Sequence, residues 1–462
     1  MLATGIELFD QDCDTLKSIA SQYVNSEEEL ANLLQRFHYV LLDINFNRYS
    51  DLGRVRVSAP NIIRRLFHLR MQLRDRISEW HHAGYLTVKN ERSLRDIFRL
   101  SRYIVDMVGE LHIGHTRLDG DDGRYRAFYG PETNTLFHPS FEERGSVPTF
   151  QSGDVLLVRG KLHNSAAIAR IGDVDSQFSH TSIIYVDNAG KHWVVESVIE
   201  QGATITPLEH ALDHGLSRAV LFRHRDSGLA HRAADFIYNH VLRSMNGRQP
   251  RIYYDFTMHP EGYDRLFCSK LIRLAFDAAS KGYITLPTFM THLTMHNRDF
   301  LNRIGVSVTK TFAPGDLELE PNFHLIAEWR DYRDTSDLRL QDLVMDKFFE
   351  WMDTHNFKFK ETFTIRLIGL LGKLSSYISR PARHLIDGIL PVVPKNMSRR
   401  TIATVAMLHS TAEEVFQELQ DAELRHIKEL GHPMHPGVVL NYIERIRERE
   451  KDMIGYLVKH AQ

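Results

Sequence analysis

The sequence contains few cysteines, almost no net charge and no long apolar run. Two cysteines in 462 residues, Cys13 and Cys268, cannot form a disulfide framework, so we expect a reducing compartment. The formal net charge of −2 does not favour a nucleic-acid groove, and we expect no nucleic-acid partner. No stretch of about 18 uncharged apolar residues is present, so we expect no membrane-spanning helix.

Several short motifs are also missing. The first residues, MLATGIELFDQDCD, lack a basic stretch followed by an apolar run, so we expect no signal peptide and a cytoplasmic protein. The sequence has no HExxH motif, no CxxC pair and no GxxxxGK[ST] loop. We therefore expect no metal site, no cofactor and no nucleotide hydrolysis.

What is present is an ordinary globular composition, 43% hydrophobic and 25% charged, in a chain long enough for two or three domains. Residues 1–145 show helical periodicity. Residues 146–315 contain short β-branched runs between helical stretches, which predicts an α+β domain. Residues 316–462 return to helical periodicity. We therefore predict a central α+β domain between two mainly α-helical regions.

Two features of the helical regions lead to specific expectations. The arginines of NIIRRLFHLRMQLRDRISEW and ERSLRDIFRLSRYIVDMVGEL alternate with Asp75, Glu79 and Asp96, and we expect them to form a solvated face. In the C-terminal region, Ser410 and Glu413 have the spacing of a capping box, which predicts a helix that begins there.

The stretch YDRLFCSKLIRLAF places Cys268 where a loop becomes an apolar helix. Free N–H groups and the helix dipole at that position favour an anion and would lower the pKa of the thiol. The alternative is a buried structural cysteine. A nucleophilic thiol also requires a base and a residue that orients the base.

The stretch SQFSHTSIIYVDNAGKHWVVESVIEQGATI offers both partners. If residues 188–190 form a three-residue hairpin loop with Gly190 in a left-handed conformation, Asp187 pairs with Lys191 and His180 lies opposite Val198. Glu196 is then the diagonal neighbour of His180 on the same face. The alternatives are a core histidine bonded to the backbone and an exposed strand glutamate.

Seven short segments follow one another along the chain in this order: GDVLLVRG, FSHTSIIYV, HWVVESV, TPLEHAL, RAVLFRH, YYDFTM and LFCSKLIRLAF. Over residues 153–279 the sequence resembles the permuted papain-like amidases, the YaeF/YiiX group of the NlpC superfamily, which is related to lecithin retinol acyltransferase. The resemblance implies that Cys268 is the nucleophile, His180 the base and Glu196 the residue that orients the base. The family often has an acidic residue two positions after the cysteine, where this chain has Lys270.

We therefore interpret residues 146–315 as a permuted papain-like cysteine hydrolase domain that acts on an amide or ester bond through an acyl-enzyme. The backbone N–H of Cys268 is a candidate oxyanion donor. Tyr253, Tyr254 and Asp255, just ahead of the cysteine, are assigned to substrate binding together with Ser269. The alternative is that this segment packs at the sheet edge.

Two other functions stay open at this point. A lipid-directed acyltransferase or thioesterase would use the stretch 363–392, which has apolar residues at helical spacing and no acid before Asp387, for peripheral membrane contact. In that stretch the alternative is an ordinary packed helix pair. The second open function is that of a binding module. In it a catalytically inactive papain-like fold would be retained, and the helical regions would bind a protein partner.

Overall fold

The computed structural model describes residues 5–44, 46–48, 51–114, 127–128, 133–142, 148–173, 175–213, 215–293, 298–375 and 393–460. The N-terminal region is helical, as predicted. Its helices are α1 Gly5–Ala20, α2 Glu27–Leu42, α3 Leu52–Asp75, α4 Ile77–His82 and α5 Val88–Ile113. Helix α2 begins at a Ser26 cap whose side chain accepts the N–H of Glu29 at 3.1 Å.

The middle of the chain mixes helices with most of the strands. The helices are α6 Pro139–Glu142, α7 His163–Arg170, α8 Leu208–Asp213, α9 Ser227–Met245, α10 Cys268–Ser280 and α11 Asp299–Ile304. The strands are β1 Thr135–Phe137, β2 Val155–Gly160, β3 His180–Val186, β4 His192–Val198, β5 Gly202–Pro207, β6 Leu216–His224, β7 Tyr253–Tyr254, β8 Arg265–Leu266, β9 Thr291–His292, β10 Lys310–Thr311 and β11 Phe323–Arg330.

The C-terminal region is again mainly helical. It contains α12 Thr335–Thr354, α13 Phe363–Ser375, α14 Arg399–Leu430 and α15 Pro436–Arg449, with the short strands β12 Phe357–Phe359, β13 Met453–Ile454 and β14 Leu457–Lys459. The predicted helix start at Ser410 is wrong, because α14 begins at Arg399 after a Ser398 cap and runs through Ser410. Glu413 instead accepts from His163 Nε2 at 2.8 Å, so its carboxylate joins α14 to α7.

The central element is a seven-stranded sheet in the order β1-β11-β6-β2-β3-β4-β5, in which every neighbouring pair is antiparallel. The α+β class with helical flanks is therefore confirmed. Two of the strands, β1 and β11, lie outside the predicted central range 146–315. The boundaries of the three zones remain a prediction.

One face of the sheet packs against α9 and α10 in a core that also includes the N-terminal helices. The opposite face packs against α8 through Leu208 and Leu212. A further apolar core joins α12, α14 and α15. The two sheet faces are filled by alternate residues of each strand, which is why the central runs are apolar almost throughout.

The expectation of a solvated arginine face is wrong for the arginines that matter most to the fold. Arg70 and Arg102 are each 1% exposed and both form ion pairs with Glu328 of β11, which is fully buried. Arg102 also reaches Glu318 at 2.6 Å. These buried pairs join the N-terminal helices α3 and α5 to the sheet, because a charge enters a protein interior only with a partner.

Candidate active site

Helix α10 begins at Cys268, with Phe267 as its extended N-cap residue. Leu271, Ile272 and Ala275 are fully buried and hold this helix against the sheet. Strand β4 is tied to the segment ahead of the cysteine by Ser197 Oγ, which donates to the carbonyl oxygen of Leu266 at 2.6 Å. The thiol therefore lies at the first turn of the helix, as predicted, where backbone N–H groups have no partner within the helix.

The hairpin formed by β3 and β4 has the predicted register. Ile183 pairs with Val195 and Val186 with His192, and the backbone N–H of Asp187 donates to Lys191 at 3.0 Å. Gly190 has a φ of 77°, the left-handed conformation that the three-residue loop requires. Continuation of this register places His180 opposite Val198 and puts Glu196 on the same face as His180.

The three predicted catalytic side chains meet at this end of the sheet. His180 Nε2 lies 2.7 Å from Glu196 Oε2, and the imidazole also forms a hydrogen bond with Cys268. The second oxygen of Glu196 accepts from Thr206 Oγ1 of β5 at 3.0 Å. With Nε2 engaged by the glutamate, Nδ1 is the nitrogen left for the thiol. The order Cys–His–Glu is that of a nucleophile, a base and a residue that orients the base.

The electrostatics of these groups favour an ion pair. Burial acts to lower the pKa of His180, but hydrogen bonds and charge from Cys268 and Glu196 raise it to about 10. Burial acts to raise the pKa of Cys268, but His180, the backbone N–H of Thr181 and Ser269 together lower it. The pKa of Glu196 is lowered despite its burial, because His180 and Thr206 stabilise the carboxylate. A thiolate beside an imidazolium follows from these three directions.

An open cleft of ≈ 490 Å³ runs along the sheet beside His180 and Glu196. Its lining combines apolar side chains, such as Leu156, Val158 and Leu216, with polar ones, among them Ser179, Ser182, Glu200, Thr204, Thr206 and His210. None of the residues described in this lining is a lysine or an arginine. None of these residues is predicted as part of the site, although the alternation of β5 places Thr204 and Thr206 on the face of Glu196.

The four residues assigned to substrate binding occupy different surroundings, and none of them is among the lining residues of the cleft. Tyr253 is 41% exposed, whereas Tyr254 is buried. Burial, followed by the charges of Cys268 and Glu200, raises the pKa of Tyr254, so its phenol stays protonated beside the site. Asp255 accepts from Lys270 Nζ at 2.8 Å. Ser269 is fully buried, with Oγ 3.8 Å from the sulfur of the cysteine. Their role in binding remains a prediction.

The described residues offer neither a metal cluster nor a helix that could span a membrane. Within the described ranges, no group of three or more His, Cys, Asp and Glu side chains is arranged to hold a metal ion. No described helix combines the length and the apolar character needed to cross a bilayer.

Comparisons with known proteins bear on the same region. A family model described as permuted papain-like amidase enzyme, YaeF/YiiX, C92 family, matches residues 149–326. A search of curated proteins found no match. Among solved structures, the crystal structure of metalloprotein yiiX from Escherichia coli O157:H7 is similar at 19% identity and a TM-score of 0.30, covering 39% of this chain and 98% of that chain. The resemblance predicted from the sequence is thus confirmed, and residues 149–326 match the model of the permuted papain-like amidase family.

Proposed function

We propose that the chain is a cysteine-dependent hydrolase that cleaves an amide or ester bond through an acyl-enzyme at Cys268. The observation that carries the proposal is the hydrogen-bonded series Cys268–His180–Glu196, with the thiol at the start of a helix. The matched family consists of papain-like amidases, which supports a cysteine-type hydrolase at the level of the family.

The chemistry follows from the roles of the three side chains. The thiolate of Cys268 attacks the acyl carbon, and the backbone N–H of Cys268 is placed to donate to the oxyanion that forms. The imidazolium of His180 gives its proton to the leaving amine or alcohol as the C–N or C–O bond breaks. Water then attacks the thioester, His180 accepts a proton from this water, and the acid leaves as the thiolate is restored. Glu196 holds the imidazole in position and stabilises its charged form.

The polar groups in the cleft offer hydrogen-bond partners to an amide. Serine, threonine and glutamate side chains supply hydrogen-bond acceptors and donors beside His180, and the described lining contains no basic residue. A peptide or another polar amide can pair with these groups, whereas a long acyl chain would leave them without partners. We therefore place amide hydrolysis ahead of lipid-directed acyl transfer.

The first experiment is the rate of iodoacetamide alkylation at Cys268 against pH, followed by intact mass. All proteins carry Cys13→Ser, a mild background change because burial already raises the pKa of Cys13 to about 12 and keeps that thiol protonated. We expect a reactive thiolate well below pH 8.5, the usual pKa of a cysteine thiol being about 8.5. His180→Ala should move the profile back toward that value.

The matched control is Thr206→Val, which removes a hydrogen bond to Glu196 but leaves all three reacting groups in place. It should shift the profile far less than His180→Ala. A slow thiol that responds to neither change would contradict the proposal and would favour the binding-module alternative. A reactive thiol justifies a panel of matched amides, esters and thioesters, in which hydrolysis of amides is the expected result.

A further inference from the structure

Helix α13 presents a continuous stripe of large apolar side chains to solvent. Phe363 is 83% exposed, and the other members of the stripe are between 42% and 54% exposed: Leu367, Ile368, Leu371 and Leu374. Positions 363, 367, 371 and 374 follow helical spacing, so these side chains share one face. Single exposed hydrophobic residues are common on protein surfaces, but a contiguous patch marks an interaction site.

The opposite face of α13 is already used for packing, which fixes the stripe in its outward orientation. A Cβ atom on Gly369 would lie 2.9 Å from the carbonyl oxygen of Arg399, and one on Gly372 would lie 3.0 Å from Ile402 Cγ2. The two glycines therefore let α13 lie close against the start of α14. Ile365 is 2% exposed and joins the apolar core beneath. The neighbouring helix is thus on the wrong side of α13 to cover the apolar stripe.

The charged side chains around the stripe are mainly basic. Helix α13 contains no aspartate or glutamate, and the side chain of Arg366 is 71% exposed, with its Nε 3.5 Å from Glu361 Oε2 just ahead of the helix. Arg399 and Arg400 are exposed at the start of α14, which packs against α13, and Arg400 lies 3.5 Å from Asp299. A short helix with an apolar face and a cationic edge has the composition of an element that lies in the plane of an anionic membrane surface.

We propose that α13 docks on an anionic lipid surface. The stripe enters the boundary between headgroups and acyl chains, and Arg366 and Arg399 contact the phosphates. A second copy of the chain fits less well, because α13 has 13 residues whereas a standard dimer interface uses about 20–30 residues on each side. The predicted membrane stretch was 363–392, and the proposal concerns only its first part, since residues 376–392 lie outside the described residues.

A series of contacts connects the docking helix with the cysteine site. Lys373 Nζ donates to the carbonyl oxygens of Lys395 at 2.6 Å and Met397 at 2.9 Å. Asn396 Nδ2 in turn donates to the carbonyl oxygen of Tyr254 at 2.7 Å. Burial and the negative charge of Cys268 raise the pKa of the Tyr254 phenol, so Tyr254 interacts electrostatically with the nucleophile. Docking would therefore bring the cleft to substrates held at a membrane. This consequence rests on the proposed function, whereas the docking itself does not.

The test is sedimentation of the full chain with phosphatidylcholine vesicles that contain or lack phosphatidylserine. We expect binding only to the anionic vesicles and release by salt. The double variant Leu367→Asp/Leu371→Asp should abolish binding, and Arg366→Gln should weaken it about fivefold. The matched control is Leu424→Asp, which changes a leucine that is 61% exposed on α14 and should bind as the parent does.

Three outcomes would overturn the proposal: no binding to either vesicle, equal loss with Leu424→Asp, or a dimer that the stripe variants convert to a monomer. Circular dichroism melting and Cys268 alkylation are measured on every variant. Lost vesicle binding with an unchanged melting curve and an unchanged thiol supports docking independently of catalysis. An inert thiol with intact vesicle binding would contradict the proposed hydrolase and leave the docking surface in place.

Discussion

Lys270 Nζ donates to Asp255 Oδ2 at 2.8 Å, and both side chains are buried. Lys270 lies in the first turn of α10, directly after Ser269, whereas Asp255 directly follows β7. Asp255 also accepts from Thr257 Oγ1 at 2.6 Å. The pair ties the β7 segment to the first turn of α10. It also accounts for the lysine at a position where family members often have an acid, since an acid there would face Asp255 without a counter-charge.

The first prediction concerns this ion pair. Lys270→Met or Asp255→Asn alone should lower the free energy of unfolding by about 3–5 kcal/mol, because each leaves a buried charge without its partner. The double variant should recover part of that loss, since no unpaired charge remains. Chemical denaturation of the four proteins measures the coupling. Additive losses in the double variant would show that the two side chains do not depend on each other.

The second prediction is the pH dependence of hydrolysis. The lowered pKa of Cys268 sets the acid limb of the rate profile, and the pKa of His180, raised to about 10, sets the alkaline limb. Glu196→Gln removes the negative charge that stabilises the imidazolium. The alkaline limb should therefore move down, while the acid limb, where the imidazole is still charged, should move little, so that the active range narrows.

The measurement is kcat/KM between about pH 5 and 10.5, with a substrate found in the amide and ester panel. Thr206→Val serves as the comparison, because it keeps the carboxylate and loses only one hydrogen bond. A Glu196→Gln profile that drops in height without narrowing would indicate a purely positional role for the glutamate.

The site could be predicted from the sequence because its geometry depends on local features. A three-residue loop sets the register of β3 and β4, and that register alone brings Glu196 to His180. The position of Cys268 follows from the periodicity of one helix. The polar cleft and the burial of Asp255 and Ser269 depend on how distant segments pack, which the local patterns do not contain.

The arginines illustrate the same limit of local patterns. Arg70 and Arg102 have acidic neighbours in sequence, which favoured a solvated face, yet both pair with Glu328, more than 200 positions away. In the same way, Glu413 lies three residues after Ser410, but its partner is His163. The spacing of charges along one helix predicts ion pairs within that helix. It does not predict a partner that belongs to another helix or strand.

The third prediction compares two glycines of the site hairpins. Gly190 and Gly202 have φ values of 77° and 73°, so alanine meets nearly the same backbone strain at both. No atom lies within 4 Å of a Cβ at Gly190, whereas a Cβ at Gly202 would lie 2.2 Å from the carbonyl oxygen of Ile252. Gly190→Ala should cost about 1–2 kcal/mol of stability from strain alone.

Gly202→Ala should lower the free energy of unfolding by about 1–3 kcal/mol more than Gly190→Ala does, because β5 must move to relieve the clash with the backbone of Ile252. Because β5 carries Thr206, the same variant should also slow alkylation of Cys268, while Gly190→Ala should not. Equal losses of stability at the two positions would mean that the backbone at Ile252 moves aside at no cost in free energy.

The last prediction is a pH dependence of stability that arises away from the site. Glu320 is fully buried, and burial raises the pKa of its carboxyl to about 7 even though Thr288 donates from its backbone N–H and its hydroxyl. A carboxyl whose pKa is higher in the folded state binds its proton more tightly there, so its contribution to stability is complete below the unfolded value of about 4.3 and is lost as pH rises through 7. The loss is about 4 kcal/mol. Glu320→Gln stays neutral and can keep both partners on Thr288. In urea denaturation, the excess of its free energy of unfolding over that of the parent should therefore grow from pH 5 to pH 8.

The control is Glu261→Gln, a change at an exposed acid, which should show no such growth. If the excess for Glu320→Gln were constant with pH, the carboxyl of Glu320 would be ionised throughout this range.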